Sequence, residues 1–116
     1  MSGIFPIDPQ ADLAPDLAHP GEYYDNSFVG DDPRLFAGVW SADAQETPIE
    51  SYPVDEVCVL LAGTGTLTGA DGNVSEFKAG DAFAIRKGTS LTWANSRDVR
   101  KIYVMLDHGA SQATTG

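Results

Sequence analysis

The sequence predicts an all-β sandwich or barrel. Three observations carry that expectation. Short apolar runs recur from Leu35 onward, turn signals containing glycine separate them, and no stretch shows the periodicity of an amphipathic helix. With 116 residues, 42% of them hydrophobic, the chain holds one domain and can fill one core. A domain of this size buries a limited share of its surface, so a partner subunit would help.

Residues 1–34 stand apart from the rest. Pro6, Pro9, Pro15, Pro20 and Pro33 exclude a long helix there. Apolar residues such as Phe5, Ile7, Leu13, Leu17, Tyr23 and Phe28 still recur, which disordered tails usually lack. The segment reads as an extended N-terminal arm lying over the fold, with one short turn near Pro9 to Leu17. For the first ten residues a frayed tail is an equal reading.

Strands follow. Leu35 to Trp40 is an apolar run bounded by Pro33 and Ser41. Glu56 to Ala62, rich in valine and leucine, suits a strand buried on one or both faces. Thr64 to Thr68 and Val74 to Phe77 flank the hairpin turn Ala70-Asp71-Gly72-Asn73. The turn Lys78-Ala79-Gly80-Asp81 leads to a strand over Ala82 to Ile85, and Lys87-Gly88-Thr89 turns again. Leu91 to Ala94 and Arg100 to Leu106 complete the barrel of residues 35–108, and residues 109–116 read as a flexible tail.

A formal net charge of −10 sets the chain against nucleic acid and anionic membranes, both of which would repel it. The single cysteine, Cys58, excludes an internal disulfide and fits a reducing compartment. Residues 1–10 have neither a basic start nor a long apolar run. No signal peptide or membrane span is expected, and a cytoplasmic location is. Gly63-x-Gly65 with Gly69 is no phosphate loop, because no helix follows to receive the phosphate.

Two spacings carry more information. Glu56 is followed after six residues by Gly63. Further on, the chain reads Gly80-x5-Arg86-x-Gly88-x2-Leu91-x3-Asn95. These resemble the cupin motifs, G-x5-H-x-H-x3,4-E-x6-G and G-x5-P-x-G-x2-H-x3-N. The stretches Gly38-Val39-Trp40, Tyr52-Pro53-Val54-Asp55-Glu56, Gly80-Asp81-Ala82-Phe83 and Arg100-Lys101-Ile102-Tyr103-Val104 are similar to one branch of that superfamily. The branch includes ureidoglycine aminohydrolase and the ethanolamine-utilisation cupin. The resemblance spans Phe36 to Leu106. It implies an RmlC-like cupin jelly-roll barrel, usually a homodimer, with a pocket in its mouth. In metal-binding members, two histidines and a glutamate of the first motif and a histidine of the second hold a divalent ion.

This chain departs from that pattern. The first-motif histidine positions fall on Glu50 and Tyr52, or on Ile49 and Ser51 with the longer spacing. The second-motif histidine position is Leu91, and Arg86 replaces the proline. Only Glu56 survives as a ligand type, and His19 and His108 lie outside both motifs. A transition metal needs several such ligands at fixed geometry. No resident metal or other cofactor is expected, although Glu50 and Glu56 could hold a divalent metal weakly.

Each candidate residue has a functional and a plain reading. Glu56, at the mouth of an apolar barrel, suits a general acid or base, or it simply ends a strand. Tyr52 donates to a ligand, or it packs on Pro53. Cys58 shares the Glu56 face of its strand. It reads better as a small core hydrophobe, since Val57 and Val59 supply no cation to activate it. Leu91 and Trp93 share a face and would offer an apolar wall to an organic ligand. Trp40 reads as barrel filling, with a place in the wall as the alternative. Arg86 could anchor an anion. Tyr103 would line the pocket if its face points inward. Arg100 and Lys101 read as charges that neutralise nearby acids.

The sequence thus points to a homodimeric cupin that binds a small organic molecule, with its metal site degraded. The alternative is metal-assisted hydrolysis or isomerisation of a small nitrogen-containing or sugar-like metabolite, with Glu56 as base or ligand. A metal-free variant would move protons with Glu56 and Tyr52 as the catalytic pair. A structural or regulatory subunit is a third reading, and fold analogy alone does not choose among them.

Overall fold

The computed structural model describes residues 3–108, so the tail read over 109–116 lies outside the described residues. Ten strands run in chain order: β1 (Ala14–Pro15), β2 (Glu22–Val29), β3 (Leu35–Ala42), β4 (Gln45–Ile49), β5 (Asp55–Ala62), β6 (Thr64–Gly69), β7 (Val74–Lys78), β8 (Ala82–Ile85), β9 (Leu91–Asn95) and β10 (Arg100–Leu106). They form a six-stranded sheet, ordered β1-β2-β3-β10-β5-β8, and a four-stranded sheet, ordered β4-β9-β6-β7. Every pairing is antiparallel. The fold is an all-β jelly roll. Among the described residues, no helix is long and apolar enough to cross a membrane.

β8 and β10 have the bounds that the sequence predicts, and the other expected strands gain one or two residues. Three strands were not expected, the two-residue β1 and the longer β2 and β4. β2 lies inside the segment read as an arm, where the prolines flank residues 22–29 without interrupting them. β4 contains Pro48, which argues against a central strand. β4 is the edge of its sheet, where a missing N–H leaves no ladder bond unmade. The turn expected near Pro9 to Leu17 is present, closed by Asp8 O to Ala11 N and by Asp16 O to His19 N, with β1 between.

The sheets close over one interior. Tyr52, Val54, Ile85, Leu91 and Trp93 form its main cluster, and Ala42, Leu60 and Val99 a second. Rings bridge the two sheets: Phe77 of β7 stacks on Phe83 of β8 with centroids 4.1 Å apart, and Trp93 meets Trp40 edge-to-face at 5.8 Å.

The motif glycines have a backbone cause. Gly63, Gly80 and Gly88 adopt φ of 71°, 95° and 90°, where a side chain is strained. Gly38 is needed for space instead. A Cβ there would lie 1.9 Å from the Asp25 carbonyl oxygen and 2.8 Å from the Tyr103 hydroxyl. Its absence lets the Tyr103 ring cross β3 and reach β2.

Arg100 does not neutralise an acid. Its guanidinium donates to the carbonyl of Pro9 at 2.7 Å and to that of Ala11, and so ties the first stretch of the chain to β10. Phe5 adds an edge-to-face contact with Phe28 of β2, centroids 5.3 Å apart.

Candidate functional site

Strand alternation decides what enters the interior. In β5, Glu56, Cys58 and Leu60 point inward, and Val57 and Val59 point away. In β10, Lys101 and Tyr103 point inward. The antiparallel register sets Lys101 opposite Leu60 and Tyr103 opposite Cys58, so Lys101 lies diagonally across from Cys58.

The consequence is a buried ion pair. Lys101 Nζ lies 2.9 Å from Glu56 Oε2, and the two residues are 4% and 2% exposed. The Tyr52 hydroxyl donates to Glu56 Oε1, and the Cys58 thiol donates to Oε2 at 3.1 Å. Two indole rings flank the ammonium, at 4.5 Å (Trp40) and 4.7 Å (Trp93) from their centroids. Trp93 Nε1 in turn donates to Asn95 Oδ1 at 2.8 Å. The amide of Asn95 donates to the carbonyls of Asp43 and Ser96. The motif asparagine therefore serves to hold Trp93.

These contacts set the protonation states. Burial disfavours the Lys101 ammonium, but the Glu56 carboxylate outweighs it and holds the group above its ordinary range. Burial, then the Glu56 charge, push the Tyr52 phenol well above the usual tyrosine range. Burial pushes the Cys58 thiol up to about 12 despite the lysine beside it. The expectation that no cation lies near Cys58 is corrected, because Lys101 reaches it from the neighbouring strand. Cys58 nonetheless stays a thiol.

The residues here do not fit a resident divalent ion. Both Glu56 oxygens are engaged, and an ion beside them would meet the Lys101 ammonium. Glu50 is exposed beside a shallow surface hollow, and Leu91 sits in the apolar cluster. Among the described residues, no three His, Cys, Asp or Glu side chains converge as a metal-binding group.

Above the pair opens a cavity of about 580 Å³. Its floor includes Glu56 and Met105, and Phe36, Trp40, Tyr52 and Tyr103 form its walls. The Tyr103 hydroxyl is spent on Asn26 Oδ1 and the Asp25 carbonyl, and burial raises its pKa. β2 and the turn before it close the rim with Asp16, His19, Glu22 and Tyr24. Glu22 accepts a 2.9 Å bond from Trp40 Nε1, and His19 Nδ1 lies 3.0 Å from Asp16 Oδ2. A smaller recess of about 120 Å³ continues down to Trp93 and Lys101.

The structure therefore gathers Glu56, Tyr52, Cys58, Trp40 and Trp93 around Lys101, with Tyr103 in the same cavity. It does not bring in Arg86, which is exposed in a groove on the outer face. Leu91 packs behind Trp93 and lines no part of this cavity. Lys101 does neutralise an acid, as expected of it, but sequence reasoning missed that the acid is Glu56 and the pair buried, and it missed the rim. The available signal was an acidic pair, Asp55-Glu56, opening one apolar strand and a basic pair, Arg100-Lys101, opening another.

A family model described as "EutQ-like cupin domain" matches residues 30–103. The chain belongs to this cupin family. Among solved structures, it is similar to a protein of unknown function from Pseudomonas syringae pv. tomato str. DC3000. The TM-score is 0.78 and identity 22%, over 85% of this chain and 46% of that one. The cupin thus spans less than half of that protein's length. The EutQ protein of Clostridium difficile gives a TM-score of 0.69 at 22% identity, covering 85% of this chain and 82% of that one. KdgF from Halomonas sp. gives 0.69 at 20%, covering 96% and 99%. These likenesses establish the fold. No curated protein matches the chain.

Two outcomes follow from the ion pair. Lys101→Met strands Glu56 without a counter-charge and is expected to cost ~3–5 kcal/mol in denaturant unfolding. Adding Glu56→Gln should restore most of that loss. The raised Cys58, Tyr52 and Lys101 values mean that the native state keeps protons which the unfolded chain releases. The Cys58 contribution is complete below the ordinary thiol value of 9.0 and is lost as pH rises through about 12, and those of Tyr52 and Lys101 begin to fall only above their own ordinary values of 10.0 and 10.5. The melting temperature should hold up to about pH 9 and fall above it. Iodoacetamide should leave Cys58 unmodified at neutral pH until denaturant is added.

Proposed function

We propose that this cupin binds a small organic molecule in the mouth of the barrel, without a metal centre. The observation that carries this reading is the Lys101–Glu56 pair, which fills the place where a cupin metal site would be assembled. The cavity of about 580 Å³ above it has the size of a small-molecule site, with aromatic walls and few polar groups.

The enzymatic alternative meets a chemical obstacle. A general base must reach the proton it removes, and Glu56 is 2% exposed beneath its three donors. Glu56 accepts from Tyr52, Cys58 and Lys101. Tyr52, with its phenol held neutral, is engaged as the donor to that carboxylate. Both are better suited to shaping the floor of a binding site than to exchanging protons with a substrate.

A screen of small metabolites by thermal shift is expected to find organic compounds that raise the melting temperature without being consumed. Elemental mass spectrometry of protein purified without a histidine tag should find far less metal than protein. Near-stoichiometric metal that disappears in Glu56→Gln would overturn this reading.

The homodimer belongs to the same proposal. Leu35, Val57, Val104 and Leu106 are exposed on the outer face of the larger sheet, in one groove bordered by Asp55 and Arg86. A second copy related by a two-fold axis would cover the apolar residues and could pair Asp55 with Arg86 across the axis. Sedimentation velocity should give a dimer for the wild type and a monomer for Val57→Glu.

A further inference from the structure

The cavity offers rings and negative charge. The Tyr52 and Tyr103 hydroxyls are committed to protein acceptors, so both residues present ring surface to a ligand. Trp40 also spends its N–H, on Glu22, and Lys101 covers one of its faces, so the part of the ring turned to the cavity is what remains as contact surface. Such faces are electron-rich and attract cations. Three carboxylates, Asp16, Glu22 and Glu56, line the same cavity. Lys101 compensates Glu56, and His19, when protonated, compensates Asp16. Glu22 has an indole as hydrogen-bond partner and no ion pair among the described residues. It stands at the edge of the Trp40 ring, and protonated His19, already held by Asp16, acts on it only from beyond ion-pair distance.

On the reading of the barrel mouth as a binding site, we infer that its ligand is a small organic cation, an amine or quaternary ammonium with an apolar part. Its charge sits beside Glu22 against the faces of Trp40 and Tyr24, and its apolar part lies along Phe36 and Met105. An anionic ligand would meet Glu22 and Asp16 at the entrance. The Lys101 ammonium below them is already held by Glu56. A neutral ligand would fit the walls but leave the Glu22 charge unused.

The test uses three molecules of nearly equal shape: choline, its neutral carbon isostere dimethylbutanol, and the anion dimethylbutanoate. The two tryptophans of the chain are both at the site, so intrinsic fluorescence of the full chain reports binding. Choline is expected to bind about tenfold or more tighter than the neutral isostere, and the anion weakest. The preference for choline should shrink as salt is raised. Glu22→Gln keeps an oxygen to accept the Trp40 bond. It should bring choline down to the affinity of the neutral isostere and leave the isostere unchanged. Equal affinity of choline and the isostere would overturn this inference and leave the binding reading standing. Tightest binding of the anion would overturn it in favour of Lys101 as the recognition charge. Failure of all three would overturn it as well, and an empty metabolite screen beside that failure would overturn the binding reading too.

Discussion

The Lys101–Glu56 ion pair is the constraint around which the barrel is organised. Removing two charges from water costs several kcal/mol for each ion, and the cost is offset only if each finds its partner with its remaining hydrogen bonds met. Here both conditions hold. Glu56 accepts from Tyr52 and Cys58 as well as from Lys101, and the ammonium lies between two indole faces. Among the described residues, no buried side-chain nitrogen or oxygen lacks a partner. The pair also fixes strand register. A slip of one residue in β10 would turn Lys101 outward and leave Glu56 buried and uncompensated, a strong penalty in a strand whose two faces are both apolar.

That constraint accounts for what surrounds it. The resemblance puts imidazoles at positions that here hold Glu50, Tyr52 and Leu91, and the Tyr52 hydroxyl is spent on Glu56. Leu91 joins an apolar cluster, and Glu50 is exposed. The barrel centre still holds a positive charge beside Glu56, but it is an ammonium attached to the chain. The Glu56 carboxylate has the same electrostatic need with either cation. With lysine the need is met at folding, whatever ions are present in solution, and the space above stays open.

The sequence carried the barrel in detail because its signals are local. Glycines at positive φ mark the turns, and apolar runs between them mark β5, β8 and β10. Where local and tertiary effects compete, the reading failed. Pro48 hid β4, since nothing in the sequence says that this strand is an edge. The prolines around β2 suggested an arm, although pairing with β3 makes residues 22–29 part of the sheet. Glu56 and Cys58 were legible as a shared face because period-two alternation relates neighbours within one strand. Lys101 was not, because β10 is apolar on both faces and gives no parity. Its role depends on a contact between strands far apart in the chain.

The same distinction runs through the site itself. Its floor and most of its walls come from β3, β5 and β10 and the segment that bears Tyr52, and apart from Met105 these lining residues fall within residues 30–103, which the family model matches. Its rim comes from residues 16–26, which lie before that segment. The floor is self-contained, with every charge answered and every hydroxyl spent. The rim holds the groups that still have bonding capacity or charge to offer a ligand, Glu22 above all. Changes on β2 can therefore alter the charge and shape of the rim without disturbing the ion pair beneath. Changes to Glu56 or Lys101 must first answer to folding. On the proposed binding reading, selectivity is lodged where substitution is cheap, and the scaffold where it is costly.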